Sequence, residues 1–95
     1  MLVEIKGTDI QTVQDLHRTL AQQLDFGTDG WNMDALRDRL MYDIERPIHL
    51  VWNDSEVSRA RLGEPTFTAV ANIFRETQEQ DERYGWGERF TFEMK

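Results

Sequence analysis

Three short segments with apolar side chains at every second position constrain the fold of this chain most. They are residues 2–6, 48–53 and 88–94, and each is typical of a β-strand. Helical patterns fall between them, so successive strands cannot be joined as hairpins. Strands that are connected by helices favour a parallel sheet with right-handed crossovers. The sequence therefore predicts a small α/β fold with three strands and three main helices, in a single domain over residues 1–95.

The first two helices are predicted from apolar residues at helical spacing. The first runs from about residue 9 to 24, and Thr8 with Gln11 is expected to form a capping box at its start. The second follows Asn32, which is predicted to be its N-cap. One face of this second helix is apolar and is expected to be buried, and its residues are Met33, Leu36, Leu40 and Ile44.

The second half of the chain holds the third main helix. Residues 54–63 are polar and fit either a short helix or a loop. Pro65 marks the start of a helix that extends to about residue 80, because proline is favoured in the first turn. A charged exit over residues 78–83 and a lead-in over residues 84–87 are expected before the last strand.

Composition disfavours several classes of function. The chain has no cysteine, which excludes disulfides, thiolate metal sites and cysteine catalysis. Its 18 acidic residues against 11 basic ones give a formal net charge of −7, which disfavours direct nucleic-acid binding and favours a basic protein partner. The longest apolar run is three residues, so we expect neither a membrane span nor a signal peptide, and a cytoplasmic location.

Catalytic motifs are scarce in this sequence. It shows no glycine-rich phosphate loop after a strand, no nucleophile elbow and no His-Glu-x-x-His pair. His17 is interpreted as a helix-packing residue and His49 as a half-buried strand residue, and local spacing supports no metal site. The chain is therefore predicted not to be an enzyme and to need no cofactor. A small enzyme or anion-binding regulator stays open as an alternative if the two histidines converge in one pocket.

The outward face of the second helix is the candidate functional region. Asp34 and Asp38 are four residues apart, so they share one helical face, opposite the apolar one. The helix dipole accounts for Asp34 in the first turn but not for Asp38, which lies further in. Arg37 and Arg39 leave a solvated ion-pair face as the alternative interpretation. A partner-binding surface is favoured because the preceding loop adds an aromatic residue to the carboxylates, through Asp29, Gly30 and Trp31.

Residues 30–38, GWNMDALRD, resemble the signature of the barstar family: Gly, any residue, Asn, a large apolar residue, Asp-Ala-Leu, any residue, Asp. The opening strand with Gly7, the strand at Pro47–Trp52 and the Phe74-Arg-Glu76 turn are also similar. The resemblance covers most of residues 3–80. Barstar-like proteins are intracellular inhibitors of secreted ribonucleases of the barnase type. Their fold implies that the three parallel strands lie in the order 1-2-3.

The resemblance also implies a mechanism, in which the second helix and its preceding loop plug the active site of a ribonuclease toxin. Asp38 would occupy the substrate-phosphate pocket, and Asp34 would contact the enzyme one turn earlier. Gly30 and Asn32 would shape and contact the guanine-side pocket, and Glu76 would add a peripheral acidic contact. The implied partner is a basic nuclease, without direct contact to nucleic acid or membrane, and the free chain is expected to be a monomer.

The sequence departs from the family pattern at several positions. Arg37 stands where a large aromatic residue precedes the key aspartate, and Gln80 replaces a second acidic position. The aromatic residue that the family often carries just before the glycines is missing, and Trp31 is a candidate to replace it as an anchor. The residues expected to contact the partner are therefore Asp29, Gly30, Trp31, Asn32, Asp34, Arg37, Asp38 and Glu76. These departures keep open a barstar-like immunity or adaptor protein for a different, non-barnase toxin or partner.

Overall fold

A three-stranded parallel sheet organises the structure, a computed structural model that describes residues 1–24, 32–43, 46–85 and 87–95. Its strands are β1 (Leu2–Lys6), β2 (Ile48–Asn53) and β3 (Phe90–Met94). Both neighbouring pairs are parallel and the order is β1-β2-β3, with Val3 opposite Leu50 and Leu50 opposite Phe92. The predicted α/β fold with strand order 1-2-3 is confirmed.

Helices connect the strands in the described part of the chain. They are α1 (Val13–Leu24), α2 (Met33–Asp38), α3 (Ser55–Leu62) and α4 (Glu64–Arg83). A 3₁₀ turn (Gly7–Asp9) precedes α1, and a π-helical turn (Arg39–Asp43) continues α2. The polar stretch before α4 is thus a helix, and α4 takes in the segment that was predicted to be a charged exit. No helix among the described residues is long and apolar enough to cross a bilayer.

The start of α1 differs from the prediction. Ile10 has an extended backbone and is only 1% exposed, so its burial in the core keeps the chain out of the helix at this point. The capping box forms further on, where the Asp15 backbone N–H donates to Thr12 Oγ1 and the Asp15 carboxylate accepts the Thr12 backbone N–H. The predicted box at Thr8 and Gln11 is therefore wrong.

The core lies between the helices and one face of the sheet. The first, second and fourth helices bury apolar side chains in one cluster with Val3, Leu50 and Phe90. His49 and Glu93, which alternate with the core residues, are exposed on the opposite face. The second helix packs on the core face of the sheet. Its acidic residues therefore lie on the side of the sheet opposite His49 and Glu93.

A buried hydrogen-bond chain joins β2, α3 and the turn after β1. The Trp52 indole N–H donates to Ser58 Oγ at 3.0 Å, and the Ser58 hydroxyl donates to the Gly7 carbonyl at 3.0 Å. A Cβ at Gly7 would collide with the backbone carbonyls of Asn53 and Asp54. Only glycine allows this approach, so Gly7 does more than end the first strand.

Candidate partner-binding surface

Asn32 starts α2 and fixes where its side chains point. Its backbone is extended, with φ −153° and ψ 177°, and its side chain accepts the Ala35 backbone N–H at 2.8 Å. This is the predicted N-cap, which satisfies one of the free N–H groups of the first turn. The Asn32 side chain is exposed, and its carbonyl oxygen is engaged in the cap. The NH₂ group of the same amide is the donor that the cap does not use.

The two faces of α2 have opposite character. Leu36 in α2 and Leu40 in the π-helical turn that continues it are fully buried, and Met33 packs against the same core cluster. Asp34 and Asp38 are exposed, and their four-residue spacing places them one turn apart on the outward face. Buried leucines on one side thus hold two carboxylates in a defined position at the surface, on a chain of net charge −7.

Arg37 joins this face to α4. Its guanidinium Nη2 lies 2.7 Å from Oε2 of Glu76, and the two side chains are 45% and 46% exposed. An exposed pair of this kind contributes about 0–1 kcal/mol to stability. The surface therefore combines Asp34, Asp38 and an Arg37–Glu76 pair, and it extends from α2 onto α4.

Some predicted residues lie outside the described part of the chain. Asp29, Gly30 and Trp31 belong to residues 25–31, and Ile44 belongs to residues 44–45. Their contribution to the surface stays a prediction. Of the predicted contact residues, the structure places Asn32, Asp34, Arg37 and Asp38 on or next to α2, and Glu76 beside them on α4.

Sequence reasoning missed a buried ion pair behind this surface. Arg46 Nε lies 2.8 Å from Asp81 Oδ2 and Nη2 lies 3.1 Å from Oδ1, with side-chain exposures of 9% and 0%. Asp81 Oδ2 also accepts the Phe90 backbone N–H at 2.7 Å. The carboxylate therefore joins α4 to the start of β3 and to the segment between α2 and β2. Its position, seven residues after the buried Phe74, was the available signal, because it falls on the buried stripe of α4.

The two histidines do not lie in one pocket. The alternative hypothesis of a small enzyme or anion-binding regulator therefore loses its geometric basis. His17 is buried on α1, on the helical side of the sheet. His49 is exposed on the other face, where its Nδ1 lies 2.7 Å from Thr91 Oγ1 and its Nε2 lies 3.4 Å from Glu93. Among the described residues, no group of three His, Cys, Asp or Glu side chains could hold a metal ion.

His17 makes stability depend on pH. Burial lowers the pKa of His17 below the ordinary value of 6.5, because desolvation disfavours the charged ring. Below that pH the unfolded chain therefore binds a proton that the folded chain still excludes, and stability decreases as the pH falls. We expect Tm to decrease from pH 7 to pH 5, and a His17→Gln variant to show a smaller decrease.

Thermal unfolding followed by circular dichroism at each pH measures this effect. His49→Gln is the matched control, since it removes the exposed histidine and should keep the decrease seen in the parent chain. Equal decreases in the parent and in His17→Gln would contradict the prediction. Backbone hydrogen bonds from Gln11 and Thr12 lower the pKa of the Asp15 carboxyl. Protonation of such carboxylates decreases stability further, but only at still lower pH.

Comparison with known proteins identifies a family and a relative of this chain. A family model described as "Barstar (barnase inhibitor)" matches residues 1–93. A protein of Bacillus subtilis (strain 168), named "Putative ribonuclease inhibitor YrdF", is 35% identical over 77 residues. That match covers 80% of this chain and 84% of the Bacillus protein.

Proposed function

Because this chain belongs to the barstar family, we propose that it is a ribonuclease inhibitor that binds and blocks the active site of a ribonuclease toxin. The observation that carries the proposal is the pair of exposed carboxylates, Asp34 and Asp38, on a helix whose other face packs against the core through the fully buried Leu36. The name of the Bacillus relative supports the same class of partner. In this function the chain binds another protein, catalyses no reaction and needs no cofactor.

The proposed mechanism rests on charge and on rigidity. A cleft that binds RNA phosphates is positively charged, and a carboxylate on a fixed helix can replace a phosphate through charge-assisted hydrogen bonds. Asp38 fills this role, and Asp34 and the Asn32 amide NH₂ bind beside it. The buried leucines of α2 reduce the entropy lost on binding, because the helix is already in place. The net charge of −7 accelerates the encounter with a basic enzyme.

The residues of the preceding loop complete the proposed contact. Asp29, Gly30 and Trp31 enter the cleft with α2, and Glu76 contacts its rim from α4. The chain is cytoplasmic and is a monomer when it is free, and it binds the enzyme directly, without contacting the RNA or a membrane.

A second candidate is a barstar-like immunity or adaptor protein for a different, non-barnase toxin or partner. The Arg37–Glu76 pair favours it, because a cation beside Asp38 reduces the attraction to a strongly basic cleft. A partner with a less basic surface, or with an acidic group opposite Arg37, fits this feature better.

An inhibition titration distinguishes the two candidates. Increasing amounts of the protein are added to a purified barnase-type ribonuclease while RNA cleavage is followed. Stoichiometric inhibition supports the first candidate. An active enzyme in the presence of excess folded protein would reject it for this enzyme class and favour the second.

The Arg37–Glu76 pair yields a specific prediction for this titration. Replacing Arg37 with alanine removes a cation beside Asp38 and frees Glu76, so we expect about tenfold tighter binding to the barnase-type enzyme. Stability should change by less than about 1 kcal/mol, because the pair is exposed. The inhibition constant and its salt dependence measure the effect.

Arg75→Ala is the matched control, because it removes an exposed cation from α4 without touching the pair. Binding that weakens in Arg37→Ala but not in this control would contradict the prediction. It would show that Arg37 makes an attractive contact with the enzyme.

A further inference from the structure

The outer edge of β3 carries backbone groups that β2 does not use. The Arg89 carbonyl accepts the Ile48 N–H at 3.1 Å, and the Lys95 N–H donates to the Trp52 carbonyl at 2.9 Å. Residues at alternating positions therefore face β2, and the N–H groups of Phe90 and Phe92 face away from it. Such a row of outward groups is a template for pairing with another strand.

Side chains of α4 occupy these outward groups. The Phe92 N–H donates to Gln78 Oε1 at 2.7 Å, and the Phe90 N–H donates to the Asp81 carboxylate at 2.7 Å. A groove of about 450 Å³ lies beside this edge, and its walls include Arg75, Gln78, Glu79, Phe92 and Met94. In the described part of the chain, α4 side chains thus hold the two outward donors that an incoming strand would need.

A side chain of α1 binds the outward backbone groups of β1 in the same way. The Met1 carbonyl accepts the His49 N–H at 2.9 Å, so alternation turns the backbone groups of Glu4 outward. Gln23 binds both of them, since its Oε1 accepts the Glu4 N–H at 3.1 Å and its Nε2 donates to the Glu4 carbonyl at 2.7 Å. The glutamine amide has the donor and the acceptor that a neighbouring strand would supply.

We propose that Gln78 and Gln23 keep the two sheet edges from pairing with strands of a second copy of this chain. A second copy is the partner against which the edges need protection, because β3 has the sequence FTFEM. This strand contains aromatic and β-branched residues and only one charge. Two such edges can pair across a twofold axis. Strands of this composition pair readily when their edge groups are free. This inference concerns the chain alone and does not depend on the proposed ribonuclease.

The test combines amide hydrogen exchange with the mass of the protein in solution. In Gln78→Ala, we expect the Phe92 amide to exchange about three- to tenfold faster than in the parent, as for the loss of one hydrogen bond. Light scattering after gel filtration should show concentration-dependent dimers or larger species, whereas the parent stays monomeric. A labelled peptide with the sequence of residues 88–95 should bind the variant and not the parent.

Gln80→Ala is the matched control on α4, and Gln22→Ala is the control for Gln23→Ala on α1. Association of Gln78→Ala and Gln23→Ala but not of their controls supports the proposal. Monomeric behaviour of both folded variants, or equal association of variants and controls, would overturn it. If Gln78→Ala fails to fold by circular dichroism, the α1 pair of variants decides the outcome alone.

Discussion

Replacing Asp38 with alanine is expected to weaken binding to the proposed ribonuclease partner by more than about 2 kcal/mol, the range of a central charged hot spot, or over about thirtyfold in Kd. The carboxylate is exposed on α2, so the loss reflects contacts to the enzyme and not to the rest of the chain. Thermal stability should change by no more than about 0.5 kcal/mol, as at other surface positions. Inhibition of RNA cleavage and Tm are measured on the same preparation.

Glu93→Ala is the control that matches the change in net charge. Glu93 is exposed on the face of the sheet opposite the helices, so its removal should leave inhibition almost unchanged. Similar losses of inhibition in both variants would indicate that overall charge, and not Asp38, is responsible. Parallel losses of Tm and of inhibition in Asp38→Ala would show that Asp38 has a structural role instead.

Replacing Asp81 with alanine is expected to destabilise the fold by about 3–5 kcal/mol, because it leaves the buried Arg46 guanidinium without its carboxylate. The Phe90 N–H loses its acceptor in the same variant. Both groups lost hydration on folding, so the loss of the carboxylate that they share is costly. Chemical denaturation with a two-state fit gives the change in the free energy of unfolding.

Glu79→Ala provides the comparison on the same helix. Glu79 is exposed two residues before Asp81, so its loss should cost no more than about 0.5 kcal/mol. Asp81→Asn should fall between the two, because the amide keeps an acceptor for the Phe90 N–H but loses the charge. A change of less than about 1 kcal/mol in Asp81→Ala would contradict the role of the carboxylate as the shared partner of Arg46 and Phe90.

The strands were predictable because their apolar pattern repeats at every second residue, and because Gly7 ends the first strand and Pro47 precedes the second. The start of α1 was not, because Thr8 and Gln11 satisfy the local capping pattern as well as Thr12 and Asp15 do. The choice depends on Ile10, which is buried against residues distant in the sequence. Tertiary burial thus decided between two local signals of similar strength.

The candidate surface was predictable as far as it depends on one helix. The spacing of Asp34 and Asp38 and the apolar residues opposite them are local properties of α2. The Arg37–Glu76 pair is different, because the two residues are 39 positions apart in the sequence and nothing local indicates that α2 lies beside α4. The buried partner of Arg46 was missed for the same reason, and also because residues 78–83 were predicted to be a charged exit, whereas α4 continues through Asp81 to Arg83.

The parallel sheet has a consequence for the time at which this chain can fold during synthesis. β2 lies between the other two strands, but in the sequence β1 comes first and β3 begins only at Phe90. Each pairing therefore joins residues that are about 40 or more positions apart, and such long-range contacts form slowly. When α1 to α4 have left the ribosome and β3 has not, the sheet can contain only β1 and β2. One edge of β2 then has no partner strand. Until the last strand pairs, that edge exposes backbone groups that a strand of another chain could bind.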